Sequence, residues 1–167
     1  MSGYIGSKRS SSLVSFDEGT IGSGVVFPAW HVIQVEYDND DHAQNTTAGF
    51  EDYLQINITP KKSGNLIFIT ATIATYHTSL GTVVTARLVR DGTNLNYEIA
   101  DFYHPSGGGV AGNISVTFID APTIPSTPVS INYAIQIKHE AGSGSTNKDY
   151  NGTLNGVSSL VAMEIQQ

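Results

Sequence analysis

The chain has 167 residues, a length that suggests one domain with a core large enough to need no staples. It has 0 Cys, which excludes disulfides and thiol chemistry, and a formal net charge of -7, which argues against nucleic acid, whose phosphates demand a basic face. Charged residues are only 14%, against about 25% in an average soluble domain, and Ser, Thr, Asn and Gly fill the gap, as on many extracellular and virion all-β surfaces.

Residues 1–28 differ from the rest. They are rich in Gly and Ser, with Lys8 and Arg9 together, Asp17 and Glu18 following, and apolar residues confined to a few short clusters. Met1 to Ser12 lacks the apolar core of a secretory signal. No run of about 18 apolar residues exists anywhere, so membrane insertion is not expected. An arm this polar does not order itself, so it is read as an extended anchor lying on a neighbour. Tyr4, Ile5, Lys8, Arg9, Leu13, Val14 and Phe16 are its candidate contact residues.

Residues 29–167 read as strands separated by turn signals. Trp30 to Tyr37 alternates, with Ile33, Val35 and Tyr37 on one face and Gln34 and Glu36 on the other. Asp38 to Asp52 is polar, with room for a short strand near Thr46 to Phe50. Tyr53 to Thr59 alternates cleanly, and Pro60 to Asn65 is a turn. Leu66 to Thr75 is a continuous Ile- and Thr-rich run, the signature of a central strand. Thr82 to Arg90 follows, then a tight turn at Asp91-Gly92, then alternation over Leu95 to Ile99. Phe102 to Gly112 reads as a loop, Ile114 to Phe118 as a strand, and Asp120 to Pro128, with three prolines, as a loop.

Val129 to His139 is the most regular stretch. Val129, Ile131, Tyr133, Ile135 and Ile137 alternate with Ser130, Asn132, Gln136 and Lys138, so one face is buried and one is wet or partner-facing. Ala141 to Thr146 is expected to be loop and Asn147 to Asn151 a weak strand. The last strand runs from Val157 to Ile165, with Val157, Ser159, Val161, Met163 and Ile165 facing one way. No helical stretch appears. This pattern predicts an all-β sandwich or barrel of antiparallel strands.

Signals for chemistry are weak. Gly107-x-Gly109-x-x-Gly112 matches a dinucleotide fingerprint but is followed by a strand, where that motif needs a helix N-terminus. The five His residues show no metal-ligand spacing. Asp38-Asn39-Asp40-Asp41 offers hard oxygens for calcium but lacks the glycine and distal Glu of a hand-type loop. No G-x-S-x-G elbow is present. Asp101, Asp120 and Glu140 lie at strand ends and are the carboxylates from which a glycan-degrading enzyme could be assembled. Asn57 and Asn113 head glycosylation sequons but fall inside expected strands. No enzyme, metal or cofactor is expected.

Several short segments carry a resemblance. They are Gly19-Thr20-Ile21-Gly22-Ser23-Gly24-Val25, Phe27-Pro28-Ala29, His31-Val32-Ile33-Gln34-Val35, Ile56-Asn57-Ile58-Thr59-Pro60, Arg87-Leu88-Val89-Arg90-Asp91, Phe118-Ile119-Asp120-Ala121-Pro122 and Leu160-Val161-Ala162-Met163-Glu164-Ile165. In this order and spacing the chain resembles small bacteriophage virion structural proteins. Their heads are similar to the trimeric jelly roll of tumour necrosis factor and the complement globular head. The resemblance implies an antiparallel jelly-roll sandwich, residues 29–167, with an extended N-terminal arm, residues 1–28, assembled as a homotrimer on the virion. No heptad or fibrous repeat precedes the head, which points away from a long fibre. Two roles follow: a tail fibre or spike head contacting host surface glycan, with its arm held by other virion proteins, or a capsid or tail decoration protein.

The resembled fold also suggests which loops face outward. It places the first and last strands side by side and antiparallel, with an extra reversal expected between Asp38 and Asp52. The distal, ligand-facing loops would then carry Lys61, Lys62, Asn65, Asn94, Thr123, Thr127 and Asn155.

Overall fold

The computed structural model describes residues 29–41, 46, 48–77, 83–100, 110–124, 129–141, 144–146 and 156–167, without the side chains of 96–97, 110, 140–141 and 144–146. The arm, residues 1–28, lies outside the described residues.

The described residues form nine strands and no helix: β1 Val32–Asp40, β2 Glu51–Ile58, β3 Leu66–His77, β4 Val83–Arg90, β5 Thr93–Ala100, β6 Val110–Asp120, β7 Ile131–Ala141, β8 Gly144–Thr146 and β9 Ser158–Ile165. They make two antiparallel sheets, one ordered β1-β9-β3-β6 with β8 also on β3, the other β2-β7-β4-β5. The chain is thus an all-β antiparallel sandwich. Its pairs are nested: β4 with β5, β3 with β6, β2 with β7 and β1 with β9. β8 and β9 run in the same direction along one edge of β3, at Thr75–His77 and Leu66–Thr72 respectively, and act as one interrupted strand.

Alternation decides what lies between the sheets. β7 turns Ile131, Tyr133, Ile135 and Ile137 inward, β2 Leu54, Ile56 and Ile58, and β4 Val84, Ala86 and Leu88. They meet Ile67, Ile69, Ala71 and Ile73 of β3, Ile114 and Val116 of β6, and Leu160 and Ala162 of β9. Full burial of each large side chain contributes about 1.5–3 kcal/mol, so this two-sided layer is the main stabilising element. The inward set of β7 is as expected, with Ile135 fully buried, but the other face is partly covered: Ala134 is 2% exposed, and Gln136 is half-buried and hydrogen-bonds Arg87 Nε and Asp52 Oδ1, both at 2.7 Å.

The Asp91-Gly92 turn is present as a two-residue hairpin with φ of 47° and 76°. Positive φ at both central residues is the primed turn that matches strand twist, and Asp-Gly is the pair suited to it. Nothing lies within 4 Å of a Cβ built on Gly92, so Gly92→Ala meets only the left-handed penalty. We expect a loss of roughly 1–2 kcal/mol in urea unfolding, with an unchanged m-value.

Four local expectations need correction. β6 begins at Val110, not Ile114, because the long β3 supplies a pairing partner for every residue from Ile67↔Asp120 to His77↔Val110, and pairing overrides the weak strand preference of Gly112. β1 runs on through Asp38-Asn39-Asp40 because β9 continues opposite it to Ser158. No strand forms over the described residues 46 and 48–50. A short strand occupies Gly144–Thr146, within an expected loop, because the end of β3 beyond β9 is open there. The weak strand expected at 147–151 falls outside the described residues.

Candidate functional site

At one end of the sandwich, called here the base, the turn between β2 and β3, the Asp91-Gly92 hairpin and the start of β7 come together. The chain enters and ends at the base too: Trp30 N donates to Gln166 O at 2.7 Å and Gln166 N to His31 O at 3.0 Å. Glu164, at 0% exposure, organises this end. Its Oε1 accepts from Lys61 N at 2.8 Å and Asn65 Nδ2 at 2.6 Å, and its Oε2 from Gln34 Nε2 at 2.6 Å and Lys61 N at 3.0 Å. Several N–H donors converge on one buried carboxyl group, the hydrogen bonding that a buried polar group requires.

A second polar group ties the sheets together. Arg90 Nη1, on β4, donates to both oxygens of Asp120, on β6, at 2.8 and 2.7 Å. Tyr133 OH, on β7, donates to Asp120 Oδ2 at 2.6 Å. Burial, then the bond to the Asp120 carboxylate, pushes the Tyr133 phenol well above its ordinary value, and the same carboxylate raises the Arg90 guanidinium. Beside Arg90 opens a cleft of about 220 Å³, lined by Arg90, Asp91, Pro122, Thr123, Val129 and Ile131.

The candidate ligand-facing residues divide. Lys61 and Lys62 are exposed in the β2–β3 turn, Asn94 is half-buried and donates to Glu98 Oε1 at 3.1 Å, and Thr123 lines the cleft. Asn65 is not on the surface: at 1% exposure it holds Glu164 and accepts from Gln167 N at 3.4 Å. Thr127, Asn155 and the arm residues Tyr4, Ile5, Lys8, Arg9, Leu13, Val14 and Phe16 lie outside the described residues.

The end assignment also changes. β1 and β9 are already antiparallel neighbours, and the next strand among the described residues is β2, in the opposite sheet. Among the described residues no further strand lies between Asp38 and Asp52 apart from β1 and β2 themselves, and none is required, because β8 and β9 share a direction and count as one pass. Lys61, Lys62, Asn65, Asn94 and Thr123 therefore lie at the end where residue 29 enters, not opposite it.

Of the three strand-end carboxylates, Asp101 lies outside the described residues. Asp120 is at the base and engaged by Arg90 and Tyr133, whereas Glu140 is near the far end of β7. Asp38 Oδ2 accepts from Gln55 N at 3.0 Å, and among the described residues no three His, Cys, Asp or Glu come together as a metal site. His139 Nδ1 lies 2.8 Å from Thr46 O, a contact that places the proton on Nδ1.

Sequence reasoning missed the outer face of the β1-β9-β3-β6 sheet. Val35, Met163, Phe68 and Ile119 form one row straight across its four strands, and Tyr37, Val161, Thr70 and Thr117 form the next. Val35 is 50%, Tyr37 73% and Ile119 56% exposed. No charged side chain points outward from either row. The signal was present in Leu66-Ile67-Phe68-Ile69 and Leu160-Val161-Ala162-Met163, apolar at consecutive positions as in strands covered on both faces.

Over the described residues the fold is a helix-free, two-sheet antiparallel β-sandwich whose outer β1-β9-β3-β6 face carries an uncharged apolar row. No protein-family model and no curated protein matches the chain.

Proposed function

We propose that the protein is a non-enzymatic bacteriophage virion structural protein, a jelly-roll homotrimer forming a surface appendage anchored by residues 1–28. Two nested Greek keys are what a jelly roll requires, and the nested pairing of β1 with β9 through β4 with β5 supports that topology. The observation that carries the reading is the row Val35, Met163, Phe68 and Ile119. Its neighbours extend an apolar patch of roughly 400 Å² by strand and row spacing, a size that on a monomer is often functional. Copies of a chain with net charge -7 repel on average, so an uncharged face is where they can meet. Face-to-face dimerisation would bury roughly 800 Å² in total, below the about 1,200–2,000 Å² of stable interfaces. In a three-fold ring each copy uses two surfaces, its face and the edge that covers it.

A second reading, capsid or tail decoration, draws support from the base, where Lys61, Lys62 and the entry from residue 29 share one end. A basic turn at the anchored end suits contact with the particle. Light scattering tests assembly: we expect a trimer, and monomeric Phe68→Glu with retained strand content. A monomeric parent at micromolar concentration would overturn the trimer. Electron microscopy of tagged particles then decides between appendage and decoration, and absence from purified particles would remove both.

A further inference from the structure

We propose that the base cleft lined by Arg90, Asp91, Pro122, Thr123, Val129 and Ile131 binds one neutral sugar residue. Its floor is apolar, from buried Pro122 and Ile131 and half-exposed Val129. Three polar groups look onto that floor. Arg90 gives Nη1 to Asp120 and also meets the Tyr133 hydroxyl, and its guanidinium fork lines the cleft. Asp91 spends Oδ1 on Asn132 N at 2.9 Å, leaving Oδ2 without a donor among them. Thr123 is exposed, and its hydroxyl makes no bond to any described residue.

The groups are also held still. Asp120 and Tyr133 fix Arg90, and the hairpin with Asn132 fixes Asp91, so little ordering is required when a ligand arrives. Charge selects among ligands. An anion would meet the Asp91 carboxylate and an Arg90 already neutralised by Asp120; a cation would meet Arg90. A donor fork, an acceptor and a hydroxyl suit vicinal hydroxyl groups, each of which both donates and accepts. The apolar floor suits the C–H face of a pyranose ring. A volume of about 220 Å³ is below the about 300–1,000 Å³ of drug-sized pockets and fits a single ring.

The proposal goes beyond the virion reading and does not depend on it. Full-length protein labelled with ¹⁵N would be titrated separately with glucose, galactose, mannose and N-acetylglucosamine, and with glucuronate as the anionic control. Concentrations of about 50 mM saturate a site with a Kd of a few millimolar. We expect at least one neutral sugar to shift the amides of Asp91, Thr123 and Val129. Val129→Trp, which fills the cleft from a half-exposed position, is expected to abolish those shifts with the rest of the spectrum unchanged. Asp91→Asn, which keeps the acceptor for Asn132, is expected to weaken binding by about tenfold, one hydrogen bond's worth. No shift with any neutral sugar, shifts away from the cleft, stronger binding of glucuronate, or binding that survives Val129→Trp would each overturn the assignment. Sugar binding by a protein that proves monomeric would sink the trimer and leave the cleft standing.

Discussion

Ile135→Asp is expected to abolish folding, while Gln136→Asp, one residue along, leaves a folded protein. Ile135 is at 0% exposure in the centre of β7, with β2 on one side and β4 on the other. The substitution loses about 1.5–3 kcal/mol of apolar burial and adds an unpaired carboxylate costing several more. That total approaches the whole margin of a domain, about 5–15 kcal/mol. Gln136 faces outward, between Arg87 and Asp52. An aspartate there gains Arg87 and faces Asp52 across the strands, so the two effects nearly cancel, and the cost is expected at about 1 kcal/mol. Circular dichroism and thermal melting of both variants measure the difference. Equal losses would show that the outer face of β7 is as closely covered as the inner.

Asp120→Ala is expected to cost about 3 kcal/mol, a fall of roughly 10 °C in Tm for a chain of this size. The Asp120 side chain is 10% exposed and is the acceptor for two neighbours. Its removal strands the Tyr133 hydroxyl in the core and leaves Arg90 unpaired; Arg90, at 31% side-chain exposure, recovers part of its loss from water. Tyr133→Phe, which leaves the ion pair intact, is expected to cost only about 1 kcal/mol. Alkaline pH provides a separate readout. A phenol raised in the folded state keeps its stabilising contribution below its ordinary pKa of 10.0 and loses it as pH climbs above that value, because the unfolded chain ionises first. Denaturant titrations above pH 10 should therefore show a shallower loss in Tyr133→Phe than in the parent. Identical slopes would mean that the phenol does not titrate differently on folding.

The sequence by itself determined the strand class, most of the strands and the inward set of β7, because period-two alternation has one geometric meaning. It determined the Asp91-Gly92 hairpin as well, because few residue pairs accept positive φ twice. It could not decide which face of an amphipathic strand points inward when both faces carry apolar residues. In β9 the conspicuous set Val161, Met163 and Ile165 faces out, while Leu160, Ala162 and even Glu164 face in. Only the tertiary structure could turn Glu164 inward, because its donors come from β1, from the β2–β3 turn and from Asn65, roughly a hundred or more residues away in the chain. The same holds for Asn65, a turn residue by sequence and a buried donor in the fold. Direction along the sandwich was equally out of reach: whether β8 adds a reversal depends on its lying in line with β9 on the edge of β3, a long-range pairing that no local pattern encodes.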